Sequence, residues 1–228
     1  MGNIYSNILP ESASYDERLE WFLRQRRPAY FVGLDLGQSQ DFSALAVIER
    51  TGETKDTYQF ACNHLQRWKL RTSYPQIVAD TVEMMNSKPL QSGRQHPMLA
   101  VDATGVGAPV IDLFKRTKHN SYLEPIQITG GADVTKENGV TRVPKRNLVS
   151  TVQVYLQSGR FKIAGKLPEA DTLARELQNF QVKINDNAHD SYGAWREGTH
   201  DDLVLAVALA LWTATEKPVA TIEKFRLI

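Results

Sequence analysis

Three short stretches end or begin apolar runs with carboxylates. Residues 30–37 read YFVGLDLG, residues 97–107 read PMLAVDATGVG, and residues 199–212 read THDDLVLAVALALW. Asp35 follows Phe31, Val32 and Leu34; Asp102 follows Leu99, Ala100 and Val101; Asp201 and Asp202 open an otherwise apolar segment. A buried carboxylate without a partner costs several kcal/mol. Two on adjacent strands also repel, and each raises the other's pKa. A divalent cation removes both penalties, and Mg²⁺ takes hard oxygen ligands of the kind aspartates offer. The chemistry such a set supports is hydrolysis assisted by two ions about 4 Å apart.

These side chains need elements to position them. Residues 29–37 and 97–105 read as strands, each with its aspartate near the C-terminal end, the edge of an open α/β sheet where ligands bind. Residues 43–50 and 57–68 read as two further strands around the turn-like TGETKD, so the first three strands form an antiparallel meander. In 57–68, Tyr58, Phe60, Cys62 and His64 share one face, whereas Leu65 falls off that alternation. Ile77, Val78, Val82 and Met85 recur at helical spacing within 74–88, as do Val110, Ile111, Leu113 and Phe114 within 107–118. A strand over 122–129 follows, and the alternation of helices with later strands implies parallel pairing.

Residues 130–140 read as a polar loop containing glycine. Pro144 and Gly159 frame a helix. Residues 160–165 form a short strand and 168–180 a helix, while 181–185 and 191–195 flank a turn-rich segment as a hairpin. The last helix spans 200–216, capped by Thr199 or His200. On it Asp202, Ala206 and Leu209 share one line, where small residues permit close approach. Asp202 then points along the contact seam and Asp201 about 100° away. Asp35, Asp102 and Asp202 thus form a cup for the ions; Asp201 is the alternative third ligand, and the geometry favours Asp202.

The chain has 228 residues, 42% of them hydrophobic, enough for one substantial core. Its net charge of +1 neither suggests nor excludes a nucleic-acid partner. The single cysteine, Cys62, rules out an internal disulfide and reads as a buried strand residue, not a nucleophile. The apolar run 203–212 is about half the roughly 20 residues of a membrane span. No signal peptide is visible, so a cytoplasmic protein without membrane association is expected, in the host cell if the gene is viral. Residues 1–28 read as an arm or linker, with Ser14 and Glu17 at capping-box spacing; 29–217 read as the domain and 218–228 as a tail.

The sequence resembles the nuclease domain of the large terminase subunit of tailed bacteriophages, a ribonuclease H-like fold related to Holliday-junction resolvases. The carrying residues are GLDLG with Asp35, VDATGVG with Asp102, and LARELQNFQVKI, SYGAW and THDDLVLAVALA with Asp201 and Asp202. The similarity covers roughly residues 30–215. It implies an α/β, ribonuclease H-like mixed sheet, three antiparallel strands then parallel ones, flanked by helices and carrying an added β-hairpin. It also implies Mg²⁺- or Mn²⁺-dependent endonucleolytic cutting of double-stranded concatemeric DNA during genome packaging. An ATPase motor module, portal and small terminase subunit are the implied partners. No G-x-x-x-x-G-K-[ST] phosphate loop is present, so the resemblance is to the nuclease half of such a motor.

A DNA substrate requires cations near the cup. Residues 136–183 hold nine Lys or Arg against four Asp or Glu. Lys136, Arg142, Lys145 and Arg146 cluster before a helix, Lys183 lies on the candidate hairpin, and His200 precedes the acidic pair. Thr104 and Gly105 offer backbone N–H groups at a helix start. No base-reading motif is evident, so weak sequence specificity is expected. The alternatives are a Holliday-junction resolvase, one lobe of an actin-like ATPase, and an inactive DNA-binding module.

Overall fold

The computed structural model describes residues 14–17, 27–37, 41–105, 107–179 and 201–217. Eight strands form one sheet: β1 (Ala29–Asp35), β2 (Ala44–Thr51), β3 (Gln59–Arg67), β4 (Met98–Asp102), β5 (Tyr122–Thr129), β6 (Thr135–Glu137), β7 (Val140–Pro144) and β8 (Phe161–Ile163). The helices are α1 (Tyr74–Asn86), α2 (Lys88–Gln91), α3 (Gly107–Arg116), α4 (Lys145–Gln157), α5 (Ala170–Asn179) and α6 (Asp202–Glu216). The sheet order is β6-β7-β5-β4-β1-β2-β3-β8. β1, β2 and β3 pair antiparallel, whereas β1–β4 and β4–β5 pair parallel, as the alternation of elements predicts; β7, which the sequence reading does not mark as a strand, also pairs parallel with β5. At the far edge β8 joins β3 in parallel.

Strand alternation divides the core in two. On one face Val32, Leu34, Leu99 and Val101 pack with Ile77, Val78 and Met85 of α1 and Val110, Ile111 and Phe114 of α3. On the other, Phe31, Ala44, Ala46, Ala100 and Ile126 pack against α6, with Leu148 and Val152 of α4 and Leu173 of α5 beyond. Every residue of α6 from Asp202 to Ala214 is buried. A helix apolar all round is a core element, and α6 fills the centre of this layer. Among the described residues, no helix is long and apolar enough to cross a membrane.

Two backbone features depart from the simple periodic reading. In β3 the register with β2 slips between Val47 and Ile48: Val47 faces His64, but Ile48 faces Cys62. The extra residue is a β-bulge, and it resets the phase so that Leu65 joins Phe60 and Cys62 on the α6 side. Trp68 reaches the opposite core. The expected loop over 130–140 is in part a hairpin, since β6 and β7 pair antiparallel around Asn138 and Gly139. Those residues have φ of 51° and 79°, the backbone that a two-residue primed turn demands and Asn-Gly supplies. The hairpin expected at 181–195 lies outside the described residues. The expected Ser14 capping box is present: Ser14 N–H donates to Glu17 Oε2 at 2.7 Å, and Glu17 N–H to Ser14 Oγ at 3.3 Å.

Both ends of α6 are anchored. Arg50, fully buried, donates from Nη1 to the Ala214 carbonyl and, at 3.0 Å, to that of Lys217. Its guanidinium lies over Tyr58 and Phe31, 4.2 and 4.9 Å from the ring centroids. Burial pulls its pKa down to about 10, so it stays a cation against the helix C-terminus, where a positive charge is favourable. Midway, α6 crosses β1 at Gly33. A Cβ there would fall 2.7 Å from Ala210 N and closer still to the Ala206 carbonyl oxygen. Gly33→Ala is expected to push α6 off the sheet, with a cost of at least the roughly 1–3 kcal/mol of an overpacked core. Thermal or denaturant melts measure this against Gly165→Ala, whose added Cβ meets nothing within 4 Å.

Candidate active site

The side-chain period of two decides which residues of β1 and β4 face α6. Phe31 and Gly33 do, hence Asp35; Ala100 does, hence Asp102. The parallel register sets Leu34 beside Val101, so the two aspartates end adjacent strands side by side. From the Gly33–Ala206 crossing, Asp35 lies two residues along the strand, about 6.6 Å. Asp202 lies four residues back along the helix, about 6 Å. The three carboxylates therefore converge on one edge. Asp35, Asp102 and Asp202 are all nearly buried.

The electrostatics record that convergence. Burial pushes the Asp35 carboxyl well above the usual carboxylate range, and the charges of Asp102, Asp202 and Asp201 push it further. A side-chain hydrogen bond joins Asp35 to Asp102. Thr104 N–H donates to Asp102 Oδ1 at 2.7 Å. Arg67 Nη2 stands 3.5 Å from Asp202 Oδ2, and Lys145 Nζ 3.4 Å from Asp201 Oδ2. The donor chemistry suits a hard divalent cation: four carboxylates, crowded enough that one binds its proton tightly. Among the described residues no three His, Cys, Asp or Glu side chains are gathered into a ready-made cage. Protein donors instead hold three of the carboxylates: Thr104 N–H at Asp102, Arg67 at Asp202 and Lys145 at Asp201.

Two residues absent from the sequence-based set border this cluster. Glu176 of α5 accepts from Leu203 N–H at 3.0 Å and Val204 N–H at 3.2 Å, so it caps the first turn of α6 from a neighbouring helix. Asp201, at the N-cap position, makes no side-chain cap bond. Burial pushes Glu176 up to about 7; the two backbone donors and Arg67 pull it down, and the Asp202 charge adds to the rise. Arg67 ends β3 on the same face as Leu65. A signal existed for Glu176, which sits three residues after the buried Leu173 on the apolar stripe of α5. For Arg67 the bulge conceals the phase.

The other expected positions spread more widely. Lys145 joins the cluster through Asp201. Thr104 serves its own loop, its hydroxyl accepting from Ile128 N–H at 2.7 Å, while Gly105 is exposed with φ of 86°. Arg142 donates to Glu137 and Gln127, and Arg146 to the Ala132 carbonyl; both are exposed. Lys136 pairs with Glu124, whose Oε1 also takes Lys217 Nζ at 3.0 Å. Lys136 is thus held by Glu124, a buried carboxylate outside the aspartate cluster. Lys183 and His200 lie outside the described residues. Cys62 is buried, and its thiol is pushed up to about 12 by burial, which makes it inert.

A mixed sheet with carboxylates at the ends of its first and fourth strands, faced by the acidic start of a core helix, is a ribonuclease H-like α/β domain. The family model described as "Terminase RNaseH-like domain" matches residues 32–213. This chain belongs to that family. Among solved structures it is similar to the large terminase nuclease of the thermophilic phage G20c, at 24% identity and a TM-score of 0.51, covering 80% of this chain and 81% of that one. It is also similar to the human cytomegalovirus terminase nuclease domain, Mn-soaked and inhibitor-bound, at 16% identity and a TM-score of 0.56, covering 83% and 84%. At these identities the likeness is one of fold. Among curated proteins none matches this sequence.

Asp35 and Glu176 hold protons more tightly folded than unfolded, their ordinary values being 3.8 and 4.5. Folding takes up protons above those values, so stability falls as pH rises through the window ending, for Glu176, at about 7. In chelator, the parent is expected to lose melting temperature relative to Asp35→Asn as pH rises above the ordinary carboxylate value of 3.8. Adding Mg²⁺ or Mn²⁺ at pH 8 should restore it. A parent-minus-variant difference that rises with pH would contradict the origin assigned here.

Proposed function

We propose that this domain is a divalent-metal-dependent endonuclease that cuts double-stranded concatemeric DNA during viral genome packaging. The observation that carries this reading is the crowding of Asp102, Asp202 and Asp201 around the buried Asp35 at one sheet edge. Membership of the terminase family supports the substrate and the setting. Asp35, at the centre, would contact two Mg²⁺ or Mn²⁺ ions, with Asp102 and Asp202 each holding one. Bound there, the ions supply charge neutralisation and an activated water for phosphodiester hydrolysis.

The chain's own residues do the remaining work. Asp202 is preferred over Asp201 because it is the buried member of the pair and heads the seam with β1. Lys145 keeps Asp201 to one side. Arg142, Arg146, the exposed Gly105 backbone, Lys183 and His200 are the proposed contacts to DNA phosphates, whereas Lys136 and the Thr104 hydroxyl serve the fold. Residues 1–28 are the proposed arm toward an ATPase motor module, with portal and small terminase subunit as further partners.

Nicking of supercoiled plasmid tests the reading. Cutting should require Mg²⁺ or Mn²⁺ and stop with chelator. Asp35→Asn, Asp102→Asn and Asp202→Asn should each lower the rate by a factor on the order of 100 or more, and Asp201→Asn by less. An Asp35→Asn variant that cuts as well as the parent would show the site to be elsewhere.

A further inference from the structure

Arg67 belongs to the same row of the sheet as the catalytic candidates. Asp35 pairs with Ala44, and Ala44 with Arg67, so the three lie in line across β1, β2 and β3. Ala44 between them presents only a methyl group, which leaves a lane for the longer side chain. The guanidinium stacks 3.8 Å from the Phe42 ring centroid, which fixes its plane. From that seat it faces two carboxylates: Asp202 Oδ2 at 3.5 Å and Glu176 Oε1 at 3.8 Å. Neither approach is a close charge-assisted hydrogen bond, which would be about 2.7–2.9 Å. Among the described residues, Arg67 Nε and Glu176 Oε1 make no hydrogen bond. Meanwhile Glu176 Oε2 is committed to the first turn of α6, one residue beyond Asp202. The guanidinium is thus poised between two acceptors and saturates neither.

We propose that Arg67 is a built-in counter-charge for Asp202, transferred to Glu176 when a divalent cation occupies the carboxylate cup. Arg67 and Glu176 are then positioning residues that set metal affinity. This rests on the metal-dependent reading of the site. The physical basis is charge conservation in a buried place: three carboxylates without an ion need a cation, and with an ion that cation needs somewhere else to go. Glu176 provides the place. Its tie to α6 keeps Asp202 at a constant height while the charge moves.

Calorimetric titration of the folded domain with Mn²⁺ tests this without any cleavage assay. Arg67→Met removes the competing cation and should tighten Mn²⁺ binding on the order of tenfold. Glu176→Gln keeps an acceptor for both cap N–H groups but leaves Arg67 wholly on Asp202, and should weaken binding by a similar factor. Together the two are expected to be non-additive: Glu176→Gln should have little effect once Arg67 is methionine. Where Arg67→Met does not fold, Arg67→Gln carries the same expectation. A merely structural role would weaken binding in both single variants, and independent charges would give additive effects; either result overturns the proposal. A parent that binds no Mn²⁺ would instead overturn the metal reading of the site, and this inference with it.

Discussion

The site depends on one backbone contact. Helix α6 touches β1 at Gly33 with no side chain between them, where its Ala206 and Ala210 backbone meets the strand. At a usual helix-to-sheet separation, about 10 Å, a carboxylate on the helix would stand too far from one on the strand to share an ion. Removal of one Cβ, with alanines opposite, brings the elements together and lets Asp202 reach the level of Asp35. The rest of the layer serves that approach. Arg50 grips one end of α6 and Glu176 the other.

The contact creates an electrostatic problem that the protein settles locally. Bringing carboxylates together without a cation is costly, and the structure offsets the cost in four ways. Asp35 binds its proton tightly, Asp102 accepts the Thr104 N–H, Lys145 faces Asp201, and Arg67 faces Asp202. The carboxylates are thus balanced by the protein's own proton, backbone N–H and basic side chains.

Much of this was legible in the residue pattern. Apolar runs ending in Asp35 and Asp102 mark strand ends, and helix–strand alternation marks parallel neighbours. Two misreadings have particular causes. The polar stretch 130–140 concealed a hairpin whose signal, Asn138-Gly139, is two residues long and is outweighed by the polar residues around it. The slip at Cys62–His64 breaks period-two counting, so the face of every later β3 residue, Arg67 included, is misassigned by simple alternation. Lys136 shows a limit of charge counting, for it lies near Lys145 in sequence, yet Lys136 pairs with Glu124 whereas Lys145 pairs with Asp201.

Taken alone, the residue order determined the elements, the faces of β1 and β4 and the identity of the clustered aspartates, because these follow from local periodicity and from the cost of burying charge. Only the tertiary structure decided which charges neutralise them. Arg67 comes from β3, Lys145 from the start of α4 and Glu176 from α5, each brought in by strand register and helix packing at long sequence separation. No local pattern encodes such partners. A carboxylate that must be balanced announces itself in sequence, but what balances it is whichever cation the fold carries to within a few ångströms.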